Sequence, residues 1–237
     1  MWRLFKKKTE KPFVSAVIAA GGSSSRMGGE NKLLCDLCGL PVLIHTMLAF
    51  EACGVIDEII LVARSDVLVE YSQLCQDFSI SKLCKVVRGG TSRAESVLNG
   101  LEEVSADCRF VCVHDAARPL IEPGDIECVC TAAFENNCAA AVAPMTDTVK
   151  LVHDGRIERT VDRDSLVRAQ TPQCADVQLL RGALYDAIQA GEKVTDECSA
   201  LERMGLRPVA VFCTGSNLKI TTPDDLLAAS ALLEARA

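Results

Sequence analysis

Six short runs rich in apolar and β-branched residues, Val14 to Ala20, Glu58 to Ala63, Lys85 to Arg88, Arg109 to His114, Ala139 to Ala143 and Pro208 to Cys213, are separated by helical patterns. That alternation leaves few architectures open. Strands of this kind need cover on both sides, so the chain predicts an α/β fold: a mostly parallel sheet, helices on both faces, and right-handed crossovers. Ligands of such sheets bind beyond the carboxyl ends of the strands. Two helix starts are explicit. In "SRAE", Ser92 and Glu95 fit a capping box, and in "TPDD", Thr222 caps, Pro223 takes the first turn and Asp225 stands three after the cap. At 237 residues the chain reads as a single domain, residues 1–237.

One stretch breaks the rhythm. Residues 146–170 carry short extended runs on either side of "HDGR", and Asp-Gly between β-prone runs is a hairpin signal. A hairpin leaving a compact body has little of its own to bury against. It predicts a protruding β-arm that helps form a homodimer, the alternative being a hairpin folded flat on its own sheet edge. The first dozen residues read as a loose tail. "MWRLFKKK" followed by "FVSAVIAA" imitates a secretory signal, but charges continue through Lys11 and the apolar run ends in a glycine loop. No run is long enough to predict a membrane span.

The net charge of -7 argues against broad nucleic-acid binding and makes any anion site a local one. The 13 cysteines fall mostly inside apolar runs such as "RFVCVHD", where cysteine serves as a small buried hydrophobe, so the chain reads as reduced and cytoplasmic. Cys35 and Cys38 form a lone C-x-x-C without a second pair or a histidine partner, a weak signal for metal.

Chemistry concentrates at four places. "AAGGSSSRMGGENK", Ala19 to Lys32, follows the first strand; its backbone N–H groups can cradle phosphate oxygens while Arg26 and Lys32 neutralise charge. It matches neither G-x-x-x-x-G-K-[ST] nor G-x-G-x-x-G, and a tight connection with two solvated charges is the plainer alternative. "VCVHDAARP" puts Asp115 at a strand end, where it could hold Mg²⁺ bridging nucleotide phosphates, with Arg118 able to take a phosphate monoester. Asp115 as a helix cap with Arg118 as its partner is the rival reading. Lys219 in "NLKITTPDD" points to the same sheet edge, and "GGTSRAESVLNGL" offers Gly89, Gly90 and Ser96 for recognition of a base.

Together with "DTVK", "TVDR", "AQTPQ" and "TDECSALE", these stretches resemble, in order and over nearly the whole chain, the 2-C-methyl-D-erythritol 4-phosphate cytidylyltransferases of the non-mevalonate isoprenoid pathway. The resemblance implies a Rossmann-like, nucleotide-diphospho-sugar transferase-like subunit with an arm exchanged across a homodimer. It implies that CTP and the methylerythritol phosphate give the cytidyl diphosphate alcohol and pyrophosphate, with Mg²⁺. By matching motif, it implies Arg26, Lys32 and Lys219 at the transferred phosphate and Asp115 on the metal. Backbone around Ala19, Ala20 and Gly21, with Gly89, Gly90, Ser96 and Ala116, would hold the cytidine. Arg118 and Thr171, with Thr148 and Arg163 from the partner's arm, would hold the sugar phosphate.

Such a reaction suits these residue types. A phosphate substrate already carries its negative charge, so catalysis needs positioning and charge neutralisation rather than a strong base. His114 then orients its neighbours, while His45 packs in an apolar helix and His153 belongs to the arm. Two departures from the family pattern stand out: Gly22 is followed by Ser23 and Lys32 is preceded by Asn31, and Ser216 stands before Asn217 where many members carry an acid. Another polyol phosphate such as ribitol 5-phosphate, or a catalytically silent nucleotide binder, are the rival functions.

Overall fold

A computed structural model describes residues 11–22, 31–213 and 216–236. Seven strands form the central sheet: β1 (Val14–Ala20), β4 (Glu58–Ala63), β5 (Leu83–Arg88), β6 (Phe110–Asp115), β7 (Cys138–Pro144), β10 (Val167–Asp176) and β11 (Val209–Phe212), in the order β11-β7-β10-β6-β1-β4-β5. All run parallel except β10, which is antiparallel to both β6 and β7. Two small hairpins, β2 (Asp36–Leu37) with β3 (Leu40–Pro41) and β8 (Val149–His153) with β9 (Arg156–Val161), stand outside it.

The central strands are apolar at nearly every position because both faces are covered. Ala16 and Ile18 of β1 face one core, built by α1 (Val42–Ala52), α2 (Leu68–Asp77), α4 (Pro123–Asn136) and α7 (Pro223–Glu234). Val17 faces the other, built by α3 (Arg93–Leu101), α5 (Val177–Gln189) and α6 (Glu197–Arg203). On that second face α3 sits so close that a β-carbon at Gly100 would lie 2.7 Å from Val17 Cγ1 and 2.8 Å from Val62 Cγ2.

The expectation of right-handed crossovers throughout needs one correction. The steps β1-α1-β4 and β4-α2-β5 move one way across the first face, and β5-α3-β6 moves back across the second, so these three share a hand. The step β6-α4-β7 moves back across the first face and has the opposite hand. Packing gives the reason. The second face over these strands is taken by α3, α5 and α6, while the first is open beside α1, and there Cys130 of α4 is buried against the face that carries Cys112 and Cys174.

Of the two capping boxes expected, one forms in full and the other only by half. Thr222 and Asp225 form a reciprocal capping box with Pro223 in the first turn. Ser92 accepts from the Glu95 N–H, but the Glu95 carboxylate takes the Thr91 N–H and hydroxyl instead of closing the box on Ser92. The C-x-x-C brackets β2, and Cys38 with Gly39 makes the turn into β3 at φ of 53° and 90°. Of the predicted tail, residues 1–10 lie outside the described residues, and Lys11 is anchored by a 2.8 Å ion pair to Asp57.

The arm is a separate two-stranded ribbon, not a flap on the sheet edge. Asp154 and Gly155 take φ of 48° and 72° at its tip, the two left-handed residues that a tight hairpin of matching twist requires. Leu151, Val152 and Ile157 on the ribbon are exposed. The chain returns through a 3-10 turn at Arg163–Ser165 into β10, whose register slips between Ala169 and Gln173. The sequence carries no strand signal there, because "VRAQTPQCAD" lacks both alternation and an apolar run.

Gly100→Ala is expected to destabilise the fold by about 1–3 kcal/mol, the cost of overpacking exceeding the roughly 1 kcal/mol of helix propensity gained. Urea unfolding measures it, and a variant as stable as the parent would show that α3 is free to shift.

Candidate functional site

The strand order reverses between β1 and β6: from β1 the chain proceeds outward to β4 and β5, then returns to place β6 on the other side. Their carboxyl ends therefore splay apart into a crevice. A cleft of about 380 Å³ opens there. Ala19, Ala20, Gly21, Gly22 and Lys32 line it from the end of β1 and the segment beyond, and Gly90 to Arg93 with Ser96 from the start of α3. Asp115 at the end of β6, Ala117 just after it, and Lys219 and Thr221 before α7 complete the wall.

Asp115 is the centre of its charge. Its carboxylate is 2.8 Å from Lys219 Nζ, 3.4 Å from the Arg93 guanidinium and 3.5 Å from Arg118 Nε. Burial alone would raise its pKa, but Arg93, Lys219 and Arg118 together hold it well below the ordinary carboxylate range. Arg93 is in turn gripped end-on by Glu197, Nη1 to Oε1 at 2.5 Å and Nη2 to Oε2 at 3.0 Å. Asp115 is thus no helix cap, since α4 begins only at Pro123.

Lys219 has no strand or helix to hold it; its segment is fastened by its neighbours. The Ile220 N–H donates to the Ala117 carbonyl at 2.8 Å, and the buried Asn217 donates through Nδ2 to the Thr171 carbonyl at 2.6 Å. Lys32 lines the facing wall and donates to the Ile220 carbonyl at 2.8 Å. The cleft thus brings Lys32, Lys219 and Asp115 together from widely separated parts of the sequence. Arg26 lies outside the described residues.

The floor is backbone. Of the two glycines that precede α3, Gly90 lines the cleft and Gly89 does not; a β-carbon would come within 2.8 Å of Ser96 Oγ at Gly89 and 2.3 Å of Glu95 Cβ at Gly90. Ser96 Oγ accepts the Gly90 N–H at 3.1 Å and donates to the Ser92 carbonyl at 2.7 Å, so it shapes the turn as well as lining the cleft.

Three expected ligand-facing residues sit differently. Ala116 is fully buried; its N–H is bonded to the Ala19 carbonyl and its carbonyl to the Thr46 hydroxyl, so Ala117 is the residue that faces the cleft. Arg118 turns inward and donates from Nη1 to the Asn217 carbonyl at 2.8 Å. Thr171 is buried behind the site. A carbonyl only accepts, so His114 Nε2 donates to the Arg118 carbonyl and Nδ1 must accept from the Thr171 hydroxyl, whose oxygen accepts the Asp115 N–H. Burial pushes the His114 pKa down to about 3, which keeps that direction fixed. Thr148 and Arg163 are exposed on the arm and do not line their own chain's cleft.

Sequence reasoning gave no role to Arg93 or Glu197, although Arg93 stands in "GGTSRAESVLNGL" and Glu197 in "TDECSALE". Arg93 directly follows the cap Ser92, a signal that it points toward the sheet edge; nothing local marks Glu197. Among the described residues no three metal-ligating side chains converge.

Residues 14–235 match the sequence model of a family described as 2-C-methyl-D-erythritol 4-phosphate cytidylyltransferase. A protein of that description from Syntrophus aciditrophicus is 39% identical over 227 residues, 94% of this chain and 97% of that one. Another, from Dehalococcoides mccartyi, is 39% identical over 223 residues, 93% and 96% of the two chains. The crystal structure of a 4-diphosphocytidyl-2C-methyl-D-erythritol synthase from Anaerococcus prevotii superposes with a TM-score of 0.85 at 29% identity, covering 94% of this chain and 97% of that one.

A histidine neutral in the fold at about pKa 3 but ordinary, near 6.5, when unfolded contributes stability above pH 6.5 that is lost as pH falls toward 3. The slope reaches about 1.4 kcal/mol per pH unit for one proton. His114→Asn is expected to flatten that acid limb in urea titrations at stepped pH; an unchanged slope would place the proton uptake elsewhere.

Proposed function

The chain belongs to the 2-C-methyl-D-erythritol 4-phosphate cytidylyltransferase family, and from that premise we propose how its cleft transfers CMP from CTP to 2-C-methyl-D-erythritol 4-phosphate, releasing pyrophosphate. The observation that carries the reading is an ionised carboxylate, Asp115, set among lysine and arginine at the sheet's switch point, beside a glycine floor that admits a nucleotide.

A phosphate oxygen of the polyol phosphate attacks the α-phosphorus of CTP in line. The new P–O bond forms as the bond to the β-phosphate oxygen breaks, and pyrophosphate leaves with the electron pair. No proton has to move, so neutral His114 fits a positioning role. Lys32 and Lys219, with Arg26, neutralise the charge that develops on the α-phosphate oxygens. Ala19, Ala20, Gly21, Gly89, Gly90 and Ser96 receive the cytidine. Arg118 would serve the polyol's phosphate by turning out from the Asn217 carbonyl it holds here, and Thr171 acts from behind through His114 and Asp115.

Mg²⁺ suits a site of this kind because it binds through one or two carboxylates together with substrate phosphates, not in a dedicated cage. Asp115 would hold it through Oδ1, its Oδ2 being paired with Lys219, and the other carboxylate on Arg93, Glu197, is already committed to that guanidinium. Bound there, the ion would supply positive charge between the phosphates. Exposed Leu151, Val152 and Ile157 support a homodimer in which the arm carries Thr148 and Arg163 to the partner's cleft. Among the described residues no helix is long and apolar enough to cross a membrane, and the many free buried thiols suit a reducing compartment such as the cytoplasm.

Pyrophosphate release with CTP and Mg²⁺ should favour 2-C-methyl-D-erythritol 4-phosphate over ribitol 5-phosphate at equal concentration. Preference for ribitol phosphate would change the substrate, and release with neither would sink the enzymatic reading. Lys32→Ala is expected to lower kcat by about 10² or more, the usual loss for one transition-state donor. Mixing inactive Lys219→Ala and Arg163→Ala proteins should restore roughly a quarter of the parental rate, since half the dimers would be mixed and each would hold one intact site. No recovery after exchange of subunits would remove the shared site.

A further inference from the structure

Glu197 opens α6 with a side chain only 2% exposed, at a depth where a lone carboxylate is costly. Its partner, Arg93, divides its donors unequally. The two end-on hydrogen bonds go to Glu197, at 2.5 and 3.0 Å, whereas Nε and Nη2 reach Asp115 Oδ1 only at 3.4 Å each. Released from Glu197, the same guanidinium is close enough to form a bidentate fork with Asp115, the stronger arrangement for arginine and a carboxylate.

Glu197 is itself held from the sheet. Gln173 of β10 accepts the Cys198 N–H at 2.8 Å and donates to Asp196 Oδ2 at 2.9 Å, while Asp196 caps the helix through the Ser199 N–H at 3.0 Å. The second glutamine of "AQTPQ", Gln173, and the acids of "TDECS" thus form one bracket behind the cleft, and Arg93 is its tip.

We propose that Glu197 is a positioning residue that restrains Arg93 and so leaves Asp115 Oδ1 open to the divalent cation accompanying the nucleotide. The inference rests on the reading of Asp115 as the metal-holding carboxylate. Binding, not turnover, tests it: calorimetric titration of the full chain with CTP in Mg²⁺ and with CTP in EDTA gives the gain in affinity due to metal. Glu197→Gln is expected to cut that gain about fivefold or more while changing the EDTA affinity less than twofold, because a charged Arg93 would close on Asp115. Adding Arg93→Met to Glu197→Gln should return the gain to within about twofold of the parent, the competing charge being gone.

A Glu197→Gln protein that keeps the full metal gain overturns the proposal, and so does a double variant that fails to recover it. Equal loss in Mg²⁺ and EDTA would reduce Glu197 to a structural group and overturn it as well. Should Glu197→Gln fail to fold, Glu197→Asp keeps the charge but spoils the two-point grip; a metal gain equal to the parent's would then be the overturning result. Asp115→Asn separates the two levels. If it keeps the metal gain, the metal reading fails with the proposal; if it loses the gain while Glu197→Gln does not, only the proposal fails.

Discussion

The Asp115 carboxylate ties the structure of the site together, because a buried negative charge is tolerable only where cations are brought to it. Arg93 comes from the start of α3, Arg118 from the turn after β6 and Lys219 from the segment before α7. Each would repel the others without the carboxylate between them. The second carboxylate, Glu197, offsets Arg93 from behind, so the cleft keeps an excess of positive charge toward its open side. A polyphosphate is what such an excess attracts.

Behind that charge lies a layer whose polarity is spent internally. His114, Thr171 and the Asp115 N–H form one directed chain, and Asn217 bonds Thr171 and Arg118 through its side chain and carbonyl. β10 supplies much of this layer. Running antiparallel between β6 and β7, it brings Thr171 beside Asp115 and Gln173 beside the start of α6. The same strand is the return path of the arm, so the ribbon that carries Thr148 and Arg163 away from the body is continuous with the strand that braces the cleft.

The strands β1 and β4 follow the predicted bounds, and β5, β6, β7 and β11 differ by a few residues at their ends. In β1, β4, β6 and β7 burial on both faces writes itself as largely apolar runs, while the edge strands β5 and β11 are only partly buried. The arm was equally legible, since Asp-Gly needs no tertiary context to set left-handed angles. β10 was not, because its polar residues are buried through partners contributed by other elements: His114 for Thr171, and α6 for Gln173.

The sequence by itself determined the layered α/β fold, the arm, and the placing of Gly90, Lys32, Asp115 and Lys219 at one edge of the sheet, because periodicity, capping and strand ends are local properties of the chain. Tertiary structure alone decided the hand of the β6-α4-β7 step, the retreat of Ala116 and Thr171 behind the cleft wall, and the pairing of Arg93 with Glu197. Those depend on which face is already occupied and on which distant group reaches a buried polar atom first. Residues separated by about a hundred positions carry no mark of each other until packing brings them within hydrogen-bond distance.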